Sequence, residues 1–308
     1  MSRDFSYEPQ DTRQTTPARP ARHRGTTPSE VRPSRGSEDA RQTERQETRN
    51  RDSLKPERLD FPRAYYLRDR AYLLRESEVR TLAELGRFRI VAPADMAKHN
   101  YDGDSARMER DLRRLEQQGL IAQKTLEISG KKTLRVAALT KSGKKVLRAT
   151  DHLPEDQTIY DGIAKPREAK HDADLYRMYH KEAERIEREG GRPARVLLDY
   201  ELKRDLNRDL AKLGAEKDNQ DAKERIAERH GLRTVDGKIP VPDMRIEYET
   251  ADLELRQRDL ELATHHYRPQ GLAEKAKAGF SFYSQVEDAP RLRRALDNHD
   301  ITGEILAL

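Results

Sequence analysis

Cysteine is absent from the 308 residues, which removes disulfides, thiolate metal sites and cysteine nucleophiles together. Long apolar runs are missing as well. Nothing approaches the roughly 20 consecutive apolar residues that a membrane span requires, and the opening MSRDFSYEPQ has no apolar stretch of the signal-peptide kind. A cytoplasmic protein without membrane association is therefore expected. Hydrophobic residues make up only 34% against 38% charged, so the cores are small and the surface is heavily ionic. Neither sign of charge dominates: 61 Lys and Arg stand against 56 Asp and Glu, a net +5, so local clustering decides what the protein touches.

What is present divides along the chain. Residues 1–59 are Arg, Thr, Ser, Pro, Glu and Gln with few apolar side chains, as in TTPARPARHRGTTPSEVRPSRGS. Such a segment cannot bury enough surface to offset its ordering entropy, and a disordered, solvated tail is expected. Residues 60–150 carry helical periodicity. Leu82 and Leu85, with Ile90 and Val91 beyond them, mark a first helix ending near Phe88, and APADMA opens a second. Asp104 or Ser105 caps a third, SARMERDLRRLEQQGL, which Gly119 stops. In it Met108, Leu112 and Leu115 fall at i, i+4 and i+7 and face the core, leaving Arg107, Arg110, Arg113 and Arg114 outside. IAQKTLEI and TLRVAALT flank Ser129-Gly130-Lys131-Lys132 and read as a hairpin, followed by a closing helix in LTKSGKKVLRA. Three helices, a hairpin and a helix make the layout of a winged helix-turn-helix.

In that layout the third helix enters the major groove, where arginines meet phosphates and guanine edges, and the wing reaches the backbone. Double-stranded DNA is the expected partner, with Arg107, Arg110, Arg113 and Arg114 on the helix and Lys124, Lys131 and Lys132 on the wing pointing the same way. The competing explanation is a solvated helix, because Glu109, Asp111 and Glu116 interleave with those arginines.

Pro154 within it, Pro166 just after it and no clear period mark 151–165 as a linker. Over 166–308 the expected order is αβββαβ. A helix carries Leu175, Tyr179, Ala183 and Ile186, a strand runs from Ala194 to Tyr200, and a charged helical insertion at about 202–230 breaks near Gly214. PDMRIEYET follows with Met244, Ile246 and Tyr248 alternating with charged residues, then a strand in RDLELATHHY, helical text in GLAEKAKAGFSFYSQ and APRLRRALDN, and a terminal strand in ITGEILAL. The fold class is thus α+β, with a tail, a winged helix, and an α/β domain of the order found in restriction-endonuclease-like folds. That order suits a metal-dependent phosphodiesterase, whose carboxylates on adjacent strands hold Mg²⁺ against a phosphate. Asp243 and Glu261 are the candidate metal ligands, with Glu201 at the end of the preceding strand completing the cluster. A lysine beside the second carboxylate is wanted, but Ala263 stands there, so Lys275 or Lys277 on the next helix must substitute. In so acidic a chain such carboxylates also arise by chance on a solvated sheet face. The histidines are read as satisfied or exposed: His265 and His266 point to opposite faces, and His171 and His180 share no helix face cleanly.

The segments AYLLRESEVRTLAELGRFRIVAPADMA, HDADLYRMYH, VPDMRIEYE and DLELATHHYRPQGLAEKAKAGFSFY resemble the replication-relaxation family of plasmid and mobile-element proteins. That family is similar to the mobilisation relaxases with a restriction-endonuclease-like domain. The resemblance runs from about Tyr66 to the C-terminus. It implies a protein that binds plasmid DNA and acts in replication, relaxation or transfer, beside other replication or transfer proteins. By the same resemblance Asp243 matches the Pro-Asp carboxylate, Glu261 the later acidic motif, and Lys275 or Lys277 a helix lysine before an aromatic, here Phe280 or Tyr283. Ala263 departs from the family, which usually has an acid there. Three functions follow: a DNA-binding accessory or initiator protein, a Mg²⁺-dependent nickase using Asp243, Glu261 and Glu201 with Lys275, or a transcriptional regulator with a C-terminal dimerisation domain. A homodimer is left open, and no cofactor other than Mg²⁺ is called for.

Overall fold

The structure, a computed structural model, describes residues 61–129, 132–163, 166–214, 219–264, 267–297 and 305–308. The expected tail at 1–59, Lys131 of the wing turn and the His265-His266 pair lie outside them.

The first described element was not anticipated: β1 (Arg63–Leu67) and β2 (Arg70–Leu74) form an antiparallel hairpin in which Tyr65 opposes Tyr72. Its tight turn places Arg68 at φ +52°. Three helices follow, α1 (Glu76–Arg87), α2 (Pro93–Asn100) and α3 (Ser105–Gln117). Each has a physical start. The α1 entrance is closed by the Glu78 carboxylate, which accepts from Arg75 N–H at 2.7 Å. Pro93 at the head of α2 needs no backbone donor. The Asp104 side chain caps α3 by accepting from Arg107 N–H at 2.8 Å. Gly119, at φ +73°, ends it as expected.

A second hairpin, β3 (Ile121–Ser129) and β4 (Lys132–Leu139), leads into α4 (Lys141–Arg148), capped by the Thr140 hydroxyl accepting from Gly143 N–H at 3.0 Å. Val91 pairs with Ala137 and adds a backbone rung to the outer side of β4.

The segment expected to link two domains is packed. Gln157 is buried and holds Val196 at both ends, donating to its carbonyl at 2.8 Å and accepting from its N–H at 3.0 Å. Ile159 is buried, and Tyr160 N–H donates to the Gly86 carbonyl.

The long helix α5 (Pro166–Arg188) then covers one face of a five-stranded mixed sheet. The strands are β5 (Arg192–Leu198), β6 (Met244–Glu249), β7 (Leu255–Leu262), β8 (Ser281–Ser284) and β9 (Ile305–Ala307), adjacent in that order. The pairs β5–β6 and β6–β7 are antiparallel, whereas β7–β8 and β8–β9 are parallel. Between β5 and β6 the chain makes α6 (Asp199–Ala211) and α7 (Gln220–Arg229), a helical excursion with its own small core of Leu206, Ile226, Ala227 and Leu232. The crossovers β7 to β8 and β8 to β9 supply α8 (Pro269–Lys277) and α9 (Ala289–Asp297) on the other sheet face, over Ala263, Phe282 and Ile305. The fold is α+β. β8 was read as helix from the sequence; FSFY is short and buried, and periodicity cannot separate such a run from a helix end.

One buried cluster runs through the whole unit, from Leu82, Phe88 and Leu112 to Tyr176, Ile186, Ile246 and Leu260. At its centre Phe88 meets Tyr176 edge-on, ring centroids 5.1 Å apart. A satellite cluster of Ile90, Leu126, Val136 and Ala169 seats the β3–β4 hairpin on α5. Among the described residues no helix is long and apolar enough to cross a membrane.

Candidate functional site

The basic side chains are sorted by what already holds them. On α3, Met108, Leu112 and Leu115 are buried as their spacing requires, and Arg107, Arg110 and Arg113 are exposed. Arg110 and Arg113 make no ion pair among the described residues. Arg114 differs: its Nε sits 3.3 Å from Oε1 of Glu78, a fully buried carboxylate whose pKa burial raises. That arginine balances a charge inside the domain, so it is committed to the fold.

The β3–β4 hairpin divides by face, because side chains of a strand alternate. Arg135 and Gln123 lie on the face toward α3, where Arg135 forks onto the Glu109 carboxylate and donates to Gln123 Oε1 at 2.7 Å. The Gln123 amide reaches Glu116 at 3.0 Å. Lys124 pairs across the hairpin with Val136, on the opposite face, which rests on α5. Lys124 and the α3 arginines therefore do not share a side, contrary to expectation. Lys132 is exposed beside the turn. Arg135, missed from the sequence, joins Gln123 in fixing the hairpin to α3; its signal was a charge on the strand face that also carries Gln123.

A second constellation forms at one end of the five-stranded sheet. Met244 opposes Leu260, so Asp243 and Glu261 come together at adjacent strand ends. Asp243 N–H donates to Glu261 Oε2 at 3.2 Å, and Leu262 N–H donates to Asp243 Oδ2 at 3.0 Å. The lysine arrives from α8: Lys275 Nζ donates to Glu261 Oε1 and, at 3.0 Å, to the Tyr267 hydroxyl, which itself donates to Glu261 Oε1. Lys277 points elsewhere, 3.6 Å from Asp236. Ala263 is buried against Leu272 and Phe282, leaving no room for the lysine or acid expected at that position.

Glu201 is corrected. The strand ends at Leu198, and Glu201 occupies the first turn of α6, where its acidic side chain suits the helix N-terminus. It is buried, with Arg195 Nη2 2.8 Å from Oε1 and the Tyr160 hydroxyl 3.5 Å from Oε2. These contacts turn it away from Asp243 and Glu261. His171 takes the place beside the carboxylates instead, Nε2 lying 3.8 Å from Asp243 Oδ1. His180, on the same helix, is bound to Glu84 at 3.2 Å. Neighbouring Asp172 is pushed up to about 6 by burial, against the pull of Arg89.

Glu261 is fully buried, and desolvation, reinforced by the Asp243 charge, pushes its carboxyl up to about 8 despite Lys275. As arranged, the set does not fit Mg²⁺. Both Glu261 oxygens are engaged by protein donors, and no group of three acidic or histidine side chains among the described residues is placed to hold a metal.

No protein-family model and no curated protein matches the chain. Among solved structures it is similar to Bacillus subtilis PadR in complex with operator DNA, at 17% identity over 51% of this chain and 78% of that chain, with a TM-score of 0.22. A likeness of that size carries no argument, and the functional reading rests on the geometry above.

Proposed function

We propose that the chain binds double-stranded DNA through a winged helix-turn-helix made of α1, α2, α3 and the β3–β4 hairpin. On this reading α3 is the groove-facing helix. The observation that carries it is the state of that helix: one side is fixed in the core by Met108, Leu112 and Leu115, while Arg107, Arg110 and Arg113 are exposed on the other. The Arg135–Glu109 fork supports it by bracing the hairpin against the same helix. Lys132, exposed beside the turn, supplies a cation of the wing; Arg114 and Lys124 contribute little.

The resemblance to the replication-relaxation family is what supports reading this binding as part of plasmid or mobile-element replication, relaxation or mobilisation, and the αβββαβ order around the mixed sheet supports a restriction-endonuclease-like origin for the C-terminal part. That part acts in an accessory role on our reading, because Glu261 is locked by Lys275 and Tyr267. A nicking enzyme is the second reading, favoured by the meeting of Asp243, Glu261 and Lys275 at one sheet end.

Supercoiled plasmid incubated with the protein and Mg²⁺ or Mn²⁺, beside the Asp243→Ala, Glu261→Ala variant, separates the two. Retarded bands without open-circular product fit the accessory reading. Metal-dependent open circles lost in the double variant establish the nickase. Absence of retardation at low salt, where phosphate contacts are strongest, would remove DNA binding altogether.

A further inference from the structure

We infer that α4 and the β1–β2 hairpin form a second DNA-contacting surface, which takes the phosphate backbone of the duplex flanking the segment held by α3. The inference rests on the DNA-binding reading above and adds a surface that reading does not use.

Charge is the first argument. The α4 sequence KSGKKVLR contains four cations and no acid. Its apolar side, Val146 and Leu147 with Gly143, is buried, and Lys144 is taken by Asp161 at 2.9 Å. Lys141, Lys145 and Arg148 recur at i, i+4 and i+7, are exposed, and make no ion pair among the described residues. The basic residues of the helix are thus separated into one that serves the fold and three aligned along solvent. An ordinary solvated helix intersperses acids with such a row, as α3 does with Glu109 and Glu116. In the hairpin Arg63, Arg68 and Arg70 outnumber the single acid Asp69.

Continuity is the second. Both elements abut the C-terminal end of α3. Arg70 Nη2 donates to the Gln118 carbonyl at 3.2 Å, and the Thr140 hydroxyl donates to the Gly119 carbonyl at 2.7 Å. Gly143 lies so close to Leu120 that a Cβ there would fall 1.9 Å from its carbonyl oxygen. The β1 strand packs against α4 in turn. Lys141, next in sequence to Thr140, is therefore held beside the C-terminal end of the helix that carries Arg110 and Arg113. A polyanion long enough to extend past α3 meets it; a short acidic peptide has no need of such a length.

The test uses full-length protein and a fluorescent 40-base-pair duplex of arbitrary sequence, with anisotropy read over a series of salt concentrations. Each lost phosphate contact lowers the slope of log K against log salt by ~0.9. Lys141→Ala, Lys145→Ala, Arg148→Ala should weaken binding at least tenfold and flatten the slope by roughly two to three. Lys145→Gln alone, which leaves the rest of the helix untouched, should flatten it by about one. Arg110→Ala, Arg113→Ala reports on α3. Loss in that variant with an unchanged slope in both α4 variants overturns this inference and leaves the proposed function standing. No binding by the wild type sinks the DNA reading itself. Equal loss of binding to phosphatidylserine vesicles, without binding to the duplex, would overturn the inference in favour of a lipid surface.

Discussion

Glu261→Gln is the sharpest probe of the sheet-end cluster, because the structure dictates how its effect changes with pH. In the wild type the Glu261 carboxyl is raised to about 8 by burial and by Asp243, whereas an unfolded glutamate titrates at about 4.3. Between those values the folded state holds a proton that the unfolded state has released. Its stability therefore falls as pH rises through the window, by at most about 1.4 kcal/mol per unit, a loss of about 5 kcal/mol across it. Glutamine cannot ionise. Its amide oxygen still accepts from Lys275 and Tyr267, but its nitrogen then meets the Asp243 N–H donor against donor, a cost of roughly 1–3 kcal/mol, and the shape is kept. Guanidinium denaturation from pH 5 to 9 should give curves that cross: the variant is less stable near pH 5 and more stable near pH 9. All other titrating groups are common to both proteins and cancel in the difference. A difference that stays constant from pH 5 to 9 would refute the raised carboxyl and the reading of Glu261 as a locked residue.

Two arginine pairs should respond unequally to the same truncation. Arg258→Ala strands the fully buried Glu182, held also by the Tyr283 hydroxyl at 2.6 Å, and should cost about 3–5 kcal/mol in chemical denaturation. Arg135→Ala breaks a largely exposed pair with Glu109, so stability should fall by less than ~1 kcal/mol, while amide exchange in the β3–β4 hairpin quickens. Gly143→Ala forces a Cβ into the Leu120 carbonyl. A loss of ~3 kcal/mol or more is expected from that overlap, at the upper end of overpacking costs, with a lowered melting temperature as the readout.

What was legible in the sequence were the features governed by local rules. The caps at Asp104 and Gly119, the three-residue apolar stripe of α3, and the alternation through Met244, Ile246 and Tyr248 each depend on spacing within one element. What escaped depends on what lies opposite. The β1–β2 hairpin turns on Arg68-Asp69 with no glycine or asparagine, so the usual punctuation is missing. Arg114 looks like its neighbours on α3 until Glu78, 36 positions away by number, is found beside it. Asp243, Glu261 and Lys275 were named together, but Tyr267 and His171 were not, because a tyrosine after a strand and a histidine on a distant helix carry no periodic signal. Glu201 was misplaced by the three residues that separate the end of β5 from its true position in the helix.

The packed segment 151–163 and helix α5 bear on how the two halves work together. A chain of two domains joined by a linker lets each move by default. Here the interface is instead continuous core, with Phe88 against Tyr176 and the Ile90–Leu126–Val136–Ala169 cluster on either side of it. Polar contacts then set the register. His99 stacks on His180 at 4.3 Å, His180 binds Glu84, and Arg177 Nε lies 2.8 Å from Asp95 while its Nη1 lies 3.0 Å from Asp174. Burial pushes His99 down to about 4, so that ring carries no charge at physiological pH. Apolar burial supplies the adhesion, and partly buried polar pairs, which add little net stability, penalise sliding because a shift would leave them unpaired. Helix α5 reaches from the back of the β3–β4 hairpin to the Asp243–Glu261 end of the sheet, where it contributes His171. A single helix thus touches both the hairpin, through Ala169, and the carboxylate cluster, through His171.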